Sequence, residues 1–207
     1  MSRPALLIID MQKGFISPSS PCHIAGAAAT VPACAAVADY CREKGIPVFF
    51  VSRVYRADGS DVEHCRYKAW AEGGKPLSPG CEEAISAQPP EALRPKEGDY
   101  VIIKPRFSAF FHTELDLILR RLGVDTVILA GTTTPNCIRT SCYDALSLEY
   151  NAVVLSDCTS SATEEIQRSN LRDMENIGAQ ILSSRQLMDG AALMDSVGQV
   201  RRALQIF

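Results

Sequence analysis

Two hydrophobic periods alternate along the chain. Short apolar runs occur at Ala5 to Ile9, Val48 to Val51, Tyr100 to Ile103, Thr126 to Ala130, Ala152 to Leu155 and Gln180 to Leu182. Their length and continuity are those of strands buried on both faces. Between them, apolar residues recur every three or four positions. Gly26 to Lys44 carries Val31, Ala35, Val37, Ala38 and Cys41 at helical spacing and stops at Gly45. Glu114 to Leu122 carries Leu115, Ile118, Leu119 and Leu122 and stops at Gly123. Asn136 to Tyr150 and Thr163 to Ile177 are two further helices, and Ser184 to Gln205 is mostly helical. Strands that alternate with helices predict an α/β fold, a parallel sheet with helices on both faces.

One region breaks the series. Arg53 to Pro95 holds Gly59, Gly73, Gly74, Gly80 and several prolines, with no clear period. A long irregular stretch inside a compact domain is usually functional or carries short helices. It reads as an excursion over the strand ends, so residues 1–207 form a single domain. No internal repeat or low-complexity segment is present.

Composition narrows the class. Of the 207 residues, 46% are hydrophobic and 22% charged, and the net charge is −3. There is no basic footprint for nucleic acid. No apolar run approaches the roughly 20 residues of a membrane span. MSRPALLIID ends in Asp10 with no small-residue cleavage site, so it reads as a first strand and not a signal peptide. The eight cysteines contain no C-x-x-C pair. A cytoplasmic protein with free thiols is expected. His64 and Cys65 near Cys81 lack paired-ligand spacing, so no metal and no cofactor are expected.

Thr126 to Leu146 concentrates the chemistry. An apolar strand is broken by Gly131, and three threonines and Pro135 lead into a helix with Cys137 in its first turn. Thr134 is placed to cap the helix, and Pro135 suits its first position. Cys137 then meets free N–H groups and the positive helix end, which favour a thiolate. The alternative is a small buried hydrophobe. Asp10 and Lys104 end two other strands. Ligands of open α/β sheets bind outside the carboxyl ends of strands, so Asp10, Lys104 and Cys137 are expected to converge. Cys137 would be the nucleophile, Asp10 the proton carrier and Lys104 the neighbouring cation. Backbone N–H groups around Thr133 and Cys137 would receive an oxyanion.

The stretches LLIIDMQKGF (Leu6 to Phe15), Ile102 to Ala145 and NAVVLSDCTSS (Asn151 to Ser161) together resemble the isochorismatase-like cysteine hydrolases. The resemblance covers most of the chain outside the excursion. It implies a three-layer α/β/α, Rossmann-like fold with a six-stranded parallel sheet. It also implies an Asp10-Lys104-Cys137 triad, a cis peptide at Thr132–Thr133, and a homodimer or homotetramer. The chain departs from the family's usual turn at Thr132, Pro135 and Asn136. Asn136 is therefore a substrate-contact candidate. Where nicotinamidases of the superfamily carry an Asp-x-His metal motif, this chain reads SRVYRADGSDVEH. The expected activity is cleavage of a C–N bond in a small amide, ureide or carbamoyl compound. A vinyl-ether hydrolase using Asp10 as acid, and a non-catalytic thiol-bearing protein, are the alternatives.

Around the triad, Gln12, Phe15, Arg106, Phe107 and Phe111 are expected to line or support the pocket. Arg53, Tyr55 and Arg56 either grip a substrate carboxylate or form a solvated loop. Cys142 and Cys158 are expected in the core, and Trp70 in a lid or subunit contact.

Overall fold

The structure is a computed structural model and describes residues 2–205. Six strands form one sheet: β1 (Pro4–Ile9), β2 (Val48–Arg53), β3 (Tyr100–Lys104), β4 (Thr126–Thr132), β5 (Asn151–Ser160) and β6 (Gln180–Leu182). Their order is β3-β2-β1-β4-β5-β6, and every pairing is parallel. The chain leaves β1 toward one edge and later returns to build β4 on β1's other side. The switch point therefore lies between the ends of β1 and β4.

Eight helices complete the described fold: α1 (Lys13–Ile16), α2 (Ala27–Glu43), α3 (Tyr67–Glu72), α4 (Leu115–Arg121), α5 (Arg139–Ser147), α6 (Glu164–Asn176), α7 (Ser184–Met188) and α8 (Ser196–Leu204). None is long and apolar enough to cross a membrane. The strand period of two divides the buried side chains between two faces. Leu7, Ile9, Val127, Leu129 and Val154 pack with Leu115, Leu119, Ile138, Cys142 and Met174. Leu6, Ile8, Ile128, Ala130 and Val153 pack on the other face with Cys34, Val37, Ala38 and Cys41 of α2. The result is three layers.

Residues 53–95 carry a small core of their own, with Phe15, Tyr55, Val62, Trp70 and Leu77 buried together. Trp70 donates its indole N–H to the Pro76 carbonyl at 3.0 Å. The excursion is thus held by one aromatic anchor, α3 and two single 3-10 turns at Glu83–Ile85 and Glu91–Leu93.

Two boundaries differ from the sequence reading. β5 does not stop near Ser156. Its register shifts after Leu129↔Val154, and the strand resumes with Gly131↔Thr159 and Thr132↔Ser160. The resumed part is polar, so an apolar pattern could not reveal it. The carboxyl-terminal helix is two helices. Gly190 turns the chain at φ 86 between them, a left-handed conformation that favours glycine.

Gly131 is the tightest point of the sheet. Its φ is 118, and a Cβ there would lie 2.0 Å from the Ile9 carbonyl oxygen. Gly131→Ala is expected to lower the unfolding free energy by at least about 3 kcal/mol, through backbone strain and a clash that neither strand can relieve. Urea titration reads this directly, and an unchanged midpoint would show that β1 and β4 do not approach so closely.

Candidate active site

Asp10 directly follows β1, and its backbone is left-handed at φ 55. Its N–H donates to Val51 of β2 at 2.8 Å, which fixes the bend. Lys104 ends β3 and stands level with Arg53 at the end of β2. Cys137 lies in the turn between β4 and α5. The three side chains meet above the switch point.

Lys104 Nζ is the hub. It lies 2.8 Å from Asp10 Oδ2, with both side chains fully buried. It also donates to Cys137 Sγ at 3.6 Å and to the Arg106 carbonyl at 3.0 Å. Two of its N–H directions are thereby engaged in hydrogen bonds. Burying two ions costs on the order of several kcal/mol each before their attraction is counted, so this pair is a poor device for stability alone. Neither Asp10 oxygen has an aligned hydrogen-bond donor within the chain. The contact with Lys104 is one of opposite charges.

The turn before Cys137 is built by threonines. The Thr132–Thr133 peptide is cis. Thr133 and Thr134 both donate their hydroxyls to the Ser160 carbonyl, at 3.1 and 3.0 Å, and Ser160 Oγ donates to Thr132 Oγ1 at 2.9 Å. The polar extension of β5 is the partner that fastens this turn. Thr134 therefore does not cap the helix as the sequence suggested. Thr133 occupies the capping position with extended backbone and no side-chain cap, and residues Thr134–Ile138 form a π-helical turn before α5. The Cys137 carbonyl accepts from Ser141 Oγ at 2.6 Å. Asn136 is half-buried beside the thiol, and its N–H donates to the Thr133 carbonyl at 3.1 Å.

The helix end and the cation that favour a thiolate are opposed by burial. Burial, and then the charge of Asp10, push the Cys137 thiol up to about 11, while Lys104 and Arg53 pull it down and do not prevail. The sequence showed the cation and the helix end but not the degree of burial. What the arrangement offers is a protonated sulfur in contact with a fixed cation and close to a carboxylate.

Arg53 stands one strand over. It is buried, so the solvated-loop alternative is excluded. Its Nη1 donates to Tyr55 Oη at 3.0 Å and pairs with Glu63, and Tyr55 donates to Glu63 Oε2 at 2.6 Å. Burial opposes the Arg53 cation. Asp10, Cys137 and Tyr55 outweigh it and hold the pKa above the ordinary value. Burial likewise opposes the Glu63 charge. The bond from Tyr55 and the charge of Arg53 overcome it and lower that pKa. Burial pushes Tyr55 up to about 12. Glu63 was not singled out in the sequence. The available signal was an acid ten residues beyond an arginine at a strand end.

The remaining candidates separate. Phe107 lies under two guanidiniums, with Arg53 and Arg66 at 5.1 and 4.8 Å from its ring centre. Gln12 is not free to meet a ligand. Its amide spans the backbones of Arg53 and Ala87 at 2.8 to 2.9 Å. Phe15 is in the excursion's core, and Arg106 donates to the Asp61 and Pro105 carbonyls. These three hold the site's walls. Arg56 is exposed and pairs with Asp58, and Phe111 is half-exposed beside His112. Neither belongs to the cluster. Cys142 and Cys158 are buried in the two cores. Among the described residues, no group of three or more His, Cys, Asp or Glu side chains is gathered that could hold a metal ion.

Comparison with known proteins agrees with this fold. The isochorismatase domain model matches residues 4–186, and the chain belongs to the isochorismatase family, a family of hydrolases. A probable inactive nicotinamidase of Arabidopsis thaliana is 39% identical over 176 residues, covering 84% of this chain and 89% of that protein. Maleamate amidohydrolase of Pseudomonas putida is 31% identical over 191 residues, covering 90% and 85%. Among solved structures, an isochorismatase family protein of Desulfovibrio vulgaris superposes with a TM-score of 0.86 at 41% identity, covering 91% and 98%.

The electrostatics predict how Cys137 reacts. With its pKa at about 11, the rate of alkylation by iodoacetamide should rise about tenfold per pH unit from neutrality to pH 9, without a plateau. Asp10→Asn removes the negative neighbour and leaves Lys104, so the thiol pKa should fall and alkylation at pH 7 should quicken. Mass spectrometry of the Cys137 peptide separates this thiol from the other seven cysteines. A plateau near pH 7 in the unmodified protein would contradict the assignment.

Proposed function

We propose that this protein hydrolyses a C–N bond of a small amide, ureide or carbamoyl compound through a thioester on Cys137. The observation that carries the reading is the buried contact set of Lys104 with Asp10 and Cys137. Its relatives include proteins named maleamate amidohydrolase and N-carbamoylsarcosine amidase, which point the same way.

Chemistry follows from the groups present. Burial and the charge of Asp10 hold the Cys137 thiol above its ordinary pKa, so the sulfur rests protonated at neutral pH. The proton therefore leaves sulfur as the carbon–sulfur bond forms, and Asp10 takes it. The carbonyl oxygen becomes an oxyanion, received by the N–H groups of Thr133 and Cys137. Collapse re-forms the carbonyl and breaks the C–N bond. Protonated Asp10 gives its proton to the departing nitrogen, which leaves as ammonia or an amine. Asp10 then takes a proton from water as the water attacks the thioester. The carbon–sulfur bond breaks, the acid product departs and the sulfur is reprotonated. Lys104 holds Asp10 against the sulfur throughout.

The similarity to a probable inactive nicotinamidase favours a second reading, a family member that keeps the thiol and turns nothing over. One experiment separates them. Purified protein is assayed for ammonia release on carbamoyl amino acids, linear ureides, nicotinamide and simple amides. We expect turnover on at least one substrate, and a loss of at least about a thousandfold in kcat/KM on that substrate in Cys137→Ala. Equal ammonia release by Cys137→Ala would remove the nucleophile assignment. No release across the panel would favour the second reading.

A further inference from the structure

Among the described residues, four buried side-chain nitrogen and oxygen atoms have no hydrogen-bond partner in the chain: Asp10 Oδ1 and Oδ2, and Arg53 Nε and Nη2. Asp10 Oδ2 is met by the Lys104 ammonium at 2.8 Å. Buried polar atoms are nearly always partnered, so the other three in one site call for a ligand that satisfies them. They differ in kind. Asp10 Oδ1 accepts, and the two on Arg53 donate. Nε and Nη2 are adjacent N–H directions on one edge of a guanidinium, the edge that meets a carboxylate with two parallel bonds. The opposite side of the group is already engaged, since Nη1 serves Tyr55 and Glu63. That network holds the free edge in one orientation.

A second cation strengthens the case. Arg66 is half-buried, lies against the same Phe107 ring, and has no carboxylate within ion-pair distance among the described residues. Arg53 is paired with Glu63, and Lys104 with Asp10. Arg66 is thus a positive charge beyond what the local acids balance. It also lines a cavity of about 190 Å³ with Cys22, Tyr55, Ala69, Trp70 and Leu77, next to the Arg53 network.

We infer that the substrate carries a carboxylate at the end remote from its scissile amide, bound by the open edge of Arg53 with Arg66 beside it. The amide N–H groups of the same molecule satisfy Asp10. This rests on the hydrolase reading above and narrows it to amides of short acids. Arg53 and Arg66 are then the residues that set specificity, and Glu63 and Tyr55 position Arg53.

The test compares acid amides with neutral analogues of the same skeleton. Malonamate, succinamate and glutaramate are assayed beside malonamide, succinamide and glutaramide. We expect the best acid amide to exceed its diamide by about a hundredfold in kcat/KM, mostly through KM. In Arg66→Gln and Arg53→Gln that ratio should fall toward one, while Arg53→Lys keeps the charge but not the paired bonds and restores only part of it. Arg66 is half-exposed, so Arg66→Gln reports even where Arg53→Gln fails to fold. A ratio at or below one in the unmodified enzyme, or a ratio that Arg66→Gln leaves unmoved, overturns the inference. If no amide is turned over, protection decides. Levulinate, with a methyl group where the amide nitrogen would sit, should slow iodoacetamide alkylation of Cys137, and its methyl ester should not. That result upholds the grip while the hydrolase reading fails. Equal protection by both, or none by either, overturns the grip.

Discussion

The contact between Asp10 and Lys104 sets the terms for everything around it. Both groups are fully buried, and they come from strands that are not neighbours: β2 lies between β1 and β3. Such a pair holds its charge only if the surrounding backbone is fixed, because removing either partner strands an ion in an apolar interior at about 3–5 kcal/mol. The Val51 carbonyl fixes the bend at Asp10, and the Arg106 carbonyl takes another N–H of Lys104. Strand register is therefore coupled to the chemistry. A slip of β3 by one residue would turn Lys104 to the opposite face and leave Asp10 alone.

The same argument explains the sheet's composition. β1 and β4 are apolar on both faces because both are covered by helices. This interior lets Asp10, Lys104 and Arg53 act on one sulfur at strengths that water would screen. Gly131 belongs to this requirement. By omitting a side chain it lets β4 close against Ile9, which brings the turn carrying Cys137 over the end of β1.

Much of this was legible in the residues. The strands at Ala5 to Ile9 and Thr126 to Ala130 stand out because parallel strands covered on both faces are continuous apolar runs. Asp10 and Lys104 stand out because they end such runs. What was hidden depended on partners distant in sequence. The polar half of β5 has no apolar pattern, and only its pairing with Gly131 and Thr132 makes it a strand. Thr134 reads as a cap until Ser160, 26 residues later, supplies a carbonyl for its hydroxyl. Gln12 reads as pocket lining until its amide is seen to tie Arg53 to Ala87. Glu63 lies in a stretch without periodicity, and nothing local marks it as the partner of Arg53.

The protonation of Cys137 carries the last step of the synthesis. Two cations and one carboxylate surround the sulfur, and a count of charges alone would favour a thiolate. Burial reverses that balance, because desolvation penalises the thiolate more than Lys104 and Arg53 repay. For the proposed reaction the reversal is an advantage. A thiolate stabilised to low pKa is abundant but weakly nucleophilic, since nucleophilicity falls with basicity. A sulfur that keeps its proton until a carbonyl arrives is spared oxidation and alkylation between turnovers. It becomes a strong nucleophile when Asp10 removes the proton. The site is then specific by construction: the positive charges that do not hold the sulfur ionised at rest remain available to meet negative charge that arrives with a ligand or forms on it.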